Sequence, residues 1–144
     1  MNDTIYKFNY PSSLIKEYDY WVVLIRPKQV TLGSLILALK GDSTSFADLS
    51  KNKFSELNIV FKDIELSLKK CFQFDKINYL ALMMIDRNPH FHIIPRYKKS
   101  INFEGKKYYD TSWPSPPDLS NSLELSDKEF NYLYEFILKN WSNE

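Results

Sequence analysis

Apolar runs separated by polar breaks predict two strands in the first forty residues. Residues 20–25 (Tyr-Trp-Val-Val-Leu-Ile) are aromatic and β-branched, which favours a strand, and Pro27 ends it because proline cannot donate to a strand ladder. Residues 34–39 form a second run. Both runs are almost continuously apolar, so we expect much of each strand to be covered on both faces. Upstream, residues 11–18, which open with Pro-Ser-Ser, predict a short helical turn.

A longer pattern in the middle of the chain has the period of a helix. Apolar residues recur at steps of three and four, which keeps them on one helix face: Phe54, Leu57, Phe61, Ile64, Leu68 and Cys71. Two more apolar runs follow, at 77–85 and 90–97, and we interpret both as strands. The order strand, strand, long helix, strand, strand predicts an α+β fold in which one helix covers an antiparallel sheet.

The last third of the chain differs in composition. Residues 113–117 (Trp-Pro-Ser-Pro-Pro) can form neither a helix nor a central strand, so we expect them to lie extended over the surface. Ser126-Asp127-Lys128-Glu129 is a capping box, a sequence that starts helices. We therefore expect a C-terminal helix over about residues 126–142. Nothing in the pattern divides the chain, so we expect one domain over residues 1–144.

Composition narrows the class of protein. Apolar residues make up 44% of the 144 residues and charged residues 26%, which is typical of a compact folded protein. The net charge of +1 disfavours broad electrostatic binding to nucleic acid or to acidic membranes. The single cysteine, Cys71, allows no intramolecular disulfide. No apolar run has signal-peptide or membrane-spanning length, so we expect a cytoplasmic protein.

The chain has two histidines, His90 and His92, and they lie two positions apart. Alternate residues of a strand point to the same face, so both imidazoles would lie on one face, about 6.6 Å apart along the strand. Asn88 would share that face one step earlier, whereas Phe91 and Ile93 would point to the core. This arrangement would leave the imidazoles in a cleft. On the residues alone, two ordinary half-exposed histidines fit the pattern equally well.

A metal site is a further interpretation of a His-x-His pair. Zinc needs three or four ligands, and the chain has no third histidine and no cysteine pair to complete the set. Asp86 could supply a carboxylate, but little else is left for a metal to use. We therefore expect no metal and no other cofactor.

Residues 88–97 (Asn-Pro-His-Phe-His-Ile-Ile-Pro-Arg-Tyr) resemble the active-site strand of the histidine-triad superfamily, His-φ-His-φ-His-φ-φ with φ an apolar residue, often continued by Pro-Arg. Segments similar to the family's first two strands, central helix, preceding strand and proline-rich tail fall in the same order, at residues 20–24, 32–35, 46–50, 76–80 and 113–116. The similarity covers roughly residues 18–117. It implies an α+β fold with an antiparallel sheet of about five strands, a long central helix and a C-terminal helix. Relatives are often dimers, so a homodimer is an expectation too.

The resemblance implies nucleotidyl transfer or hydrolysis without a metal. His90 occupies the position of the family's nucleophile, which attacks an α-phosphate and forms a nucleotidyl-imidazole that water then opens. Imidazole suits this role because it is largely neutral at pH 7, with an ordinary pKa of about 6.5. An acceptor on one ring nitrogen, such as a backbone carbonyl, would turn the other toward phosphorus. His92 would donate a hydrogen bond to a phosphate oxygen. The implied substrates are small nucleotides, either dinucleoside polyphosphates or aminoacyl and amine-linked adenylates.

Two departures from the family pattern bear on activity. The first histidine of the triad is Asn88 here, at a position that usually supports the other two. Asparagine can donate and accept hydrogen bonds, so the resemblance allows Asn88 to keep this catalytic support, and it equally allows a branch with altered or lost activity. The family's Gly-Gln-Ser/Thr-φ stretch, which assists the leaving group, is replaced by Met84-Ile85-Asp86-Arg87. Both departures favour a second interpretation, in which the chain binds nucleotides with weak or no catalysis.

Three further residues are candidates for nucleotide binding through the resemblance. Arg26 lies where the first strand ends, near the family's nucleoside pocket, although a solvated loop arginine would also fit. Ser34 follows the glycine at a position that lines this pocket in some relatives, and Asn78 resembles an asparagine in the strand before the motif. Arg96 lies about 20 Å from His90 along a continued strand, so we interpret it as a structural salt bridge or a contact to a distal part of the ligand.

Overall fold

A five-stranded antiparallel sheet organises the fold in the computed structural model, which describes residues 1–142. Across the sheet the order is β1, β2, β3, β5, β4, and the strands are Leu14–Glu17 (β1), Trp21–Ile25 (β2), Leu35–Leu39 (β3), Lys76–Leu80 (β4) and His90–Arg96 (β5). Every residue of β2 and β3 is buried, which confirms that both strands are covered on both faces. The α+β class and the strand count predicted from the sequence are confirmed.

Two helices cover one face of the sheet. The long helix α2 spans Lys51–Cys71, after a 3-10 turn at Phe46–Asp48, and the helix α3 spans Asp127–Lys139. The capping box at the start of α3 is complete, since Ser126 and Glu129 each accept a hydrogen bond from the other's backbone N–H. The buried side chains between helices and sheet form the main core, which includes Val23, Leu35, Leu37, Ile64, Leu68, Ile93, Leu133 and Ile137.

A short N-terminal helix, α1 (Asp3–Lys7), covers the opposite face of the sheet. Ile5 of α1 is fully buried in a second apolar cluster with side chains of β2 and β3, and Phe8 and Tyr10 pack at its margin. Asn2 caps the helix by accepting a hydrogen bond from Ile5 N (3.0 Å). The same side chain donates to the carbonyls of Leu39 (2.8 Å) and Gly41 (2.7 Å), which attaches the N-terminus to the end of β3.

The helical turn predicted over residues 11–18 is wrong, because Leu14–Glu17 is strand β1. This segment pairs antiparallel with β2, and Ile15 reaches the main core while Leu14 packs on the opposite cluster. Pairing satisfies the backbone groups of β2 that would otherwise lie at an open edge. The backbone hydrogen bonds formed with β2 outweigh the weak local preference of a four-residue segment. They cannot be predicted from the segment alone, because β2 is a separate part of the chain.

The strand predicted over residues 77–85 ends at Leu80, five residues early. The strand β4 lies at the edge of the sheet and pairs with β5 alone. Its last residue, Leu80, pairs with His92, near the start of β5. Residues 81–89 instead form a loop that joins β4 to β5. Met84 and Ile85 are apolar, which is why the sequence predicts a strand here. Both side chains are exposed in this loop.

A hairpin of Ile101–Phe103 (β6) and Lys106–Tyr108 (β7) forms a separate two-stranded sheet. Residues 113–117 form neither helix nor strand, as predicted, but they turn rather than run extended, since Ser115 N donates to the carbonyl of Ser112 (2.6 Å). Within the described residues, no helix is both long enough and apolar enough to cross a membrane.

Candidate active site

Strand β5 places the two histidines side by side on the face of the sheet that α1 covers. His90 pairs with Ala38 and His92 with Ile36, and both partners belong to the cluster beneath α1. The centroids of the imidazole rings lie 5.1 Å apart. Phe91 packs on the main core, on the opposite face. The alternation predicted from the sequence therefore holds, and the two imidazoles can act on one small group.

A backbone carbonyl fixes the tautomer of His90. The Nδ1 atom of His90 lies 2.8 Å from the carbonyl oxygen of Asn88. Because a carbonyl can only accept, Nδ1 carries the proton in this contact, and Nε2 is left with a free lone pair. An imidazole in this state is a nucleophile without further deprotonation.

Arg26 fixes the opposite tautomer of His92. The Nε of Arg26 donates to Nδ1 of His92 at 3.4 Å, so Nε2 of His92 carries the proton and can donate. Burial, together with the smaller effects of the charges of Arg26 and His90, lowers the pKa of His92 to about 4, and the carboxylate of Asp86 opposes this shift only in part. His92 is therefore neutral at pH 7 and is a hydrogen-bond donor rather than a cation.

Asn88 contacts His90 through its backbone, and its side chain serves another purpose. The Oδ1 of Asn88 accepts from the hydroxyl of Thr4 (2.9 Å), and its Nδ2 donates to the carbonyl of Ser43 (3.0 Å). The side chain thus connects the start of β5 to α1 and to the loop after β3. Asn88 precedes β5 rather than lying within it.

The histidines do not lie in an open cleft, contrary to the prediction. His90 is 2% exposed and His92 is 7% exposed. The ring of Phe8 covers both, with its centroid 5.8 Å from that of His90 and 6.0 Å from that of His92. This cover is not predictable from the sequence pattern, because α1 has five residues, too few for a clear helical period. The available signal was weak: Asn2 as a cap, and Ile5 and Phe8 three positions apart.

Beside His92 a cavity of about 300 Å³ opens between α1, the end of β2 and the loop of residues 81–89. Its charged lining residues are Lys7, Arg26, Lys28 and Asp86. Lys7 and Asp86 form an ion pair at 2.8 Å. Arg26 and Asp86, both singled out from the sequence, therefore line the same cavity as His92.

Two of the other candidates lie away from the imidazoles. Ser34 is fully buried, and its hydroxyl donates to the carbonyl of Thr31 (2.7 Å), which stabilises the turn before β3. Asn78 accepts from Nη1 of Arg96 (2.9 Å). The salt bridge expected for Arg96 is confirmed, since its guanidinium binds both carboxylate oxygens of Asp110 (2.7 and 3.1 Å).

The described residues offer no ready metal site. Across residues 1–142, no three side chains of histidine, cysteine, aspartate or glutamate cluster closely enough to hold a metal ion. The charged side chains that line the cavity beside His92 are three cations and one carboxylate.

No protein-family model matches the sequence, and no curated protein matches it significantly. Solved structures do match. A histidine triad protein from Bradyrhizobium japonicum is 18% identical, with a TM-score of 0.74 over 99% of this chain and 97% of that one. A histidine triad protein from Sinorhizobium meliloti is 20% identical, with a TM-score of 0.73 over 97% and 95%. The diadenosine triphosphate hydrolase of Plasmodium falciparum, solved with cyclomarin A, is 15% identical, with a TM-score of 0.57 over 62% and 64%.

The chain therefore has the histidine triad fold, as the His-φ-His strand predicts. These identities are low, so the likeness establishes the fold and leaves the chemistry to be argued from the residues.

Proposed function

We propose that the protein is a metal-independent nucleotidyl hydrolase or transferase. It would release a nucleoside monophosphate from a phosphoanhydride or phosphoramidate through a nucleotidyl-histidine on His90. The observation that carries this proposal is the 2.8 Å hydrogen bond between Nδ1 of His90 and the carbonyl of Asn88. It supports the proposal because it leaves the Nε2 lone pair free for attack.

The proposed reaction has two displacements. Nε2 of His90 attacks the α-phosphorus, the bond from phosphorus to the leaving oxygen or nitrogen breaks, and the leaving group departs with the electron pair and takes up a proton. Water or another acceptor then attacks phosphorus, the P–N bond breaks, and its electron pair returns to Nε2. The attacking water releases a proton, so the enzyme ends as it began.

His92 would stabilise the charge that develops on phosphorus. Its Nε2–H is the free donor of the ring, because Nδ1 accepts from Arg26. The neutral ring can donate this hydrogen bond to a phosphate oxygen, and the bond becomes stronger as the oxygen becomes more negative. Arg26 is in this proposal a positioning residue for His92, while Ser34 and Asn78 act by stabilising the turn before β3 and the position of Arg96.

Turnover by His90→Ala tests the proposal. Diadenosine triphosphate and an amine-linked adenylate are the substrates to assay, and we expect His90→Ala to abolish turnover while circular dichroism and the unfolding midpoint stay close to those of the parent protein. His92→Ala is the matched comparison, since it loses a donor rather than the nucleophile. It should retain measurable turnover, slowed about 10²–10³-fold. A folded His90→Ala protein with full activity would contradict the mechanism.

A second candidate function is nucleotide binding with little catalysis. The observation that favours it is the cover over the nucleophile: His90 is 2% exposed beneath Phe8. The asparagine at position 88, where the family has a histidine, favours it too. Calorimetry with AMP beside the turnover assays separates the two functions. Saturable AMP binding without turnover of either substrate would favour the binding protein.

A further inference from the structure

We propose that Thr4 of α1 is a positioning residue for His90. Its hydroxyl holds Asn88 in place, and the backbone carbonyl of Asn88 in turn keeps His90 in the tautomer whose Nε2 is free to attack. This inference rests on the proposed function, and it gives the N-terminal helix a part in preparing the nucleophile.

Asn88 needs an anchor because it lies outside the sheet. The pairing of β3 with β5 ends at His90, and one further backbone hydrogen bond follows it, from Leu39 N to the carbonyl of Pro89 (3.0 Å). Among the hydrogen bonds of residues 1–142, none joins the backbone of Asn88 to another backbone group. The carbonyl that orients His90 therefore belongs to the loop before β5, where no strand partner fixes its direction.

Thr4 binds Asn88 twice through one hydroxyl. The Oγ1 of Thr4 donates to Oδ1 of Asn88 (2.9 Å) and accepts from its backbone N–H (3.3 Å). The Nδ2 of Asn88 donates to the carbonyl of Ser43 (3.0 Å). Two separate segments, α1 and the loop after β3, thus hold Asn88, so the residue has little freedom to turn its carbonyl away from His90.

Helix formation does not explain the presence of Thr4. Threonine is a poorer helix former than alanine or leucine, and Thr4 lies inside a helix of five residues. It is 3% exposed, and burying a hydroxyl is unfavourable unless the hydroxyl is hydrogen-bonded. Both hydrogen bonds that the structure gives this hydroxyl go to Asn88. The contact with Asn88 therefore accounts for a threonine at this position.

The tautomer of His90 determines whether the ring can attack phosphorus. With Nδ1 protonated and bound to the carbonyl of Asn88 (2.8 Å), the lone pair is on Nε2. In the other tautomer Nε2 carries the proton and has no lone pair to donate. Removing the hydroxyl of Thr4 frees the carbonyl to move, so part of the protein would hold His90 in the unreactive tautomer. The kcat should then fall while KM changes little, because no group that contacts the substrate is altered.

Imidazole ¹⁵N NMR measures the tautomer without any substrate. At pH 8, above the ordinary imidazole pKa of about 6.5, the parent protein should show one ring protonated at Nδ1 and one protonated at Nε2. In Thr4→Val we expect His90 to become a mixture of tautomers, and kcat to fall about two- to tenfold, as for one lost hydrogen bond. Thr4→Ser keeps the hydroxyl, so it should retain the parent's tautomer and kcat.

Thr31→Val is the matched control. Thr31 is 2% exposed, and its hydroxyl donates to the carbonyl of Pro95 in β5 (2.5 Å), so this variant also loses a buried hydroxyl but leaves Asn88 untouched. It should lose stability and keep the tautomer of His90 and kcat. Asn88→Ala removes the partner instead, and it should shift the tautomer in the same direction as Thr4→Val. Combining these two variants should cost less than the sum of their separate effects, since both break the same contact.

The inference and the proposed function fail separately. A Thr4→Val protein with the parent's tautomer at His90 would overturn the inference, and so would an equal shift in Thr31→Val. If Thr4→Val shifts the tautomer but the parent protein forms no nucleotidyl adduct on His90, the catalysis is overturned and the orientation of the ring by Thr4 stands. If the parent forms the adduct and Thr4→Val leaves the tautomer unchanged, the role of Thr4 is overturned and the catalysis stands.

Discussion

The ammonium of Lys7 lies 2.8 Å from the carboxylate of Asp86, and this ion pair connects α1 to the loop between β4 and β5. A second connection lies one helical turn earlier, where the hydroxyl of Thr4 donates to Asn88. Phe8, which follows α1, packs against both imidazole rings, and His90 is 2% exposed. The two contacts therefore hold in place the segment that covers the histidines.

Breaking the ion pair should expose the histidines. We predict that Asp86→Asn, which keeps the size of the side chain, raises the rate of diethyl pyrocarbonate modification of histidine about two- to fivefold. That range corresponds to a partly exposed pair worth roughly 0.5–1 kcal/mol. The chain has two histidines, so the absorbance change reports this site alone.

Glu17→Gln is the control for that experiment, because it breaks the Lys40–Glu17 pair (2.9 Å) on another part of the surface. It should leave the modification rate unchanged. If Asp86→Asn also reacts at the parent rate, the ion pair does not restrain the cover over the histidines.

The protonation of His92 should make stability depend on pH. Its pKa is about 4 in the folded protein against about 6.5 in the unfolded chain. Between these values the unfolded chain binds more protons, so the free energy of unfolding falls as the pH drops from 6.5 toward 4. Above pH 6.5 both states are neutral and the effect vanishes.

Urea denaturation at pH 7, 5.5 and 4.5 measures this effect in the parent protein and in His92→Gln. The variant cannot bind the proton, so its free energy of unfolding should fall less over that range. NMR titration of the imidazole protons provides the direct value for His92. A midpoint near 6.5 would mean that the ring is neither buried nor close to Arg26 in solution.

The buried ion pair of Arg96 and Asp110 should matter far more to stability than the surface pairs. Both side chains are almost fully buried, and their contact joins β5 to the segment that follows β7. We predict that Asp110→Ala lowers the free energy of unfolding by about 3–5 kcal/mol, because it leaves a guanidinium buried without a counter-charge. Glu17→Ala, at an exposed pair, should change it by less than about 1 kcal/mol. Urea unfolding of both variants measures these two changes in the free energy of unfolding. Similar small changes in both variants would refute the structural role given to Arg96.

Elements with strong local signals were predictable from the sequence. The helix α2 repeats apolar residues from Phe54 to Cys71 at helical spacing, and α3 begins at its capping box of Ser126 and Glu129. The strands β2 and β3 are apolar enough to require burial on both faces. In each case the determinant lies within the segment itself.

Elements that depend on distant partners were not predictable in this way. Leu14–Glu17 becomes a strand because β2 offers it an edge, and β4 ends at Leu80, opposite His92 and close to the start of β5. The cover over the histidines depends on packing between α1 and a sheet assembled from later residues.

The candidate site also combines features that the local sequence predicts with features that depend on distant residues. The spacing of His90 and His92 on one strand is local, and the sequence predicted their common face. Arg26 and His92 are 66 positions apart, and they meet because β2, β3 and β5 pair in a particular register. The resemblance to a known family supplied Arg26 as a candidate, but its contact with Nδ1 of His92 required the structure.

Trapping the intermediate tests the central claim most directly. The protein is incubated with diadenosine triphosphate labelled at the α-phosphorus, quenched in alkali to preserve a phosphoramidate, and digested for mapping of the labelled peptide by mass spectrometry. We predict label on His90 in the parent protein and in His92→Gln, and none in His90→Ala. Label on His92 or on a residue other than histidine, or turnover by the parent protein without any adduct on His90, would contradict the account.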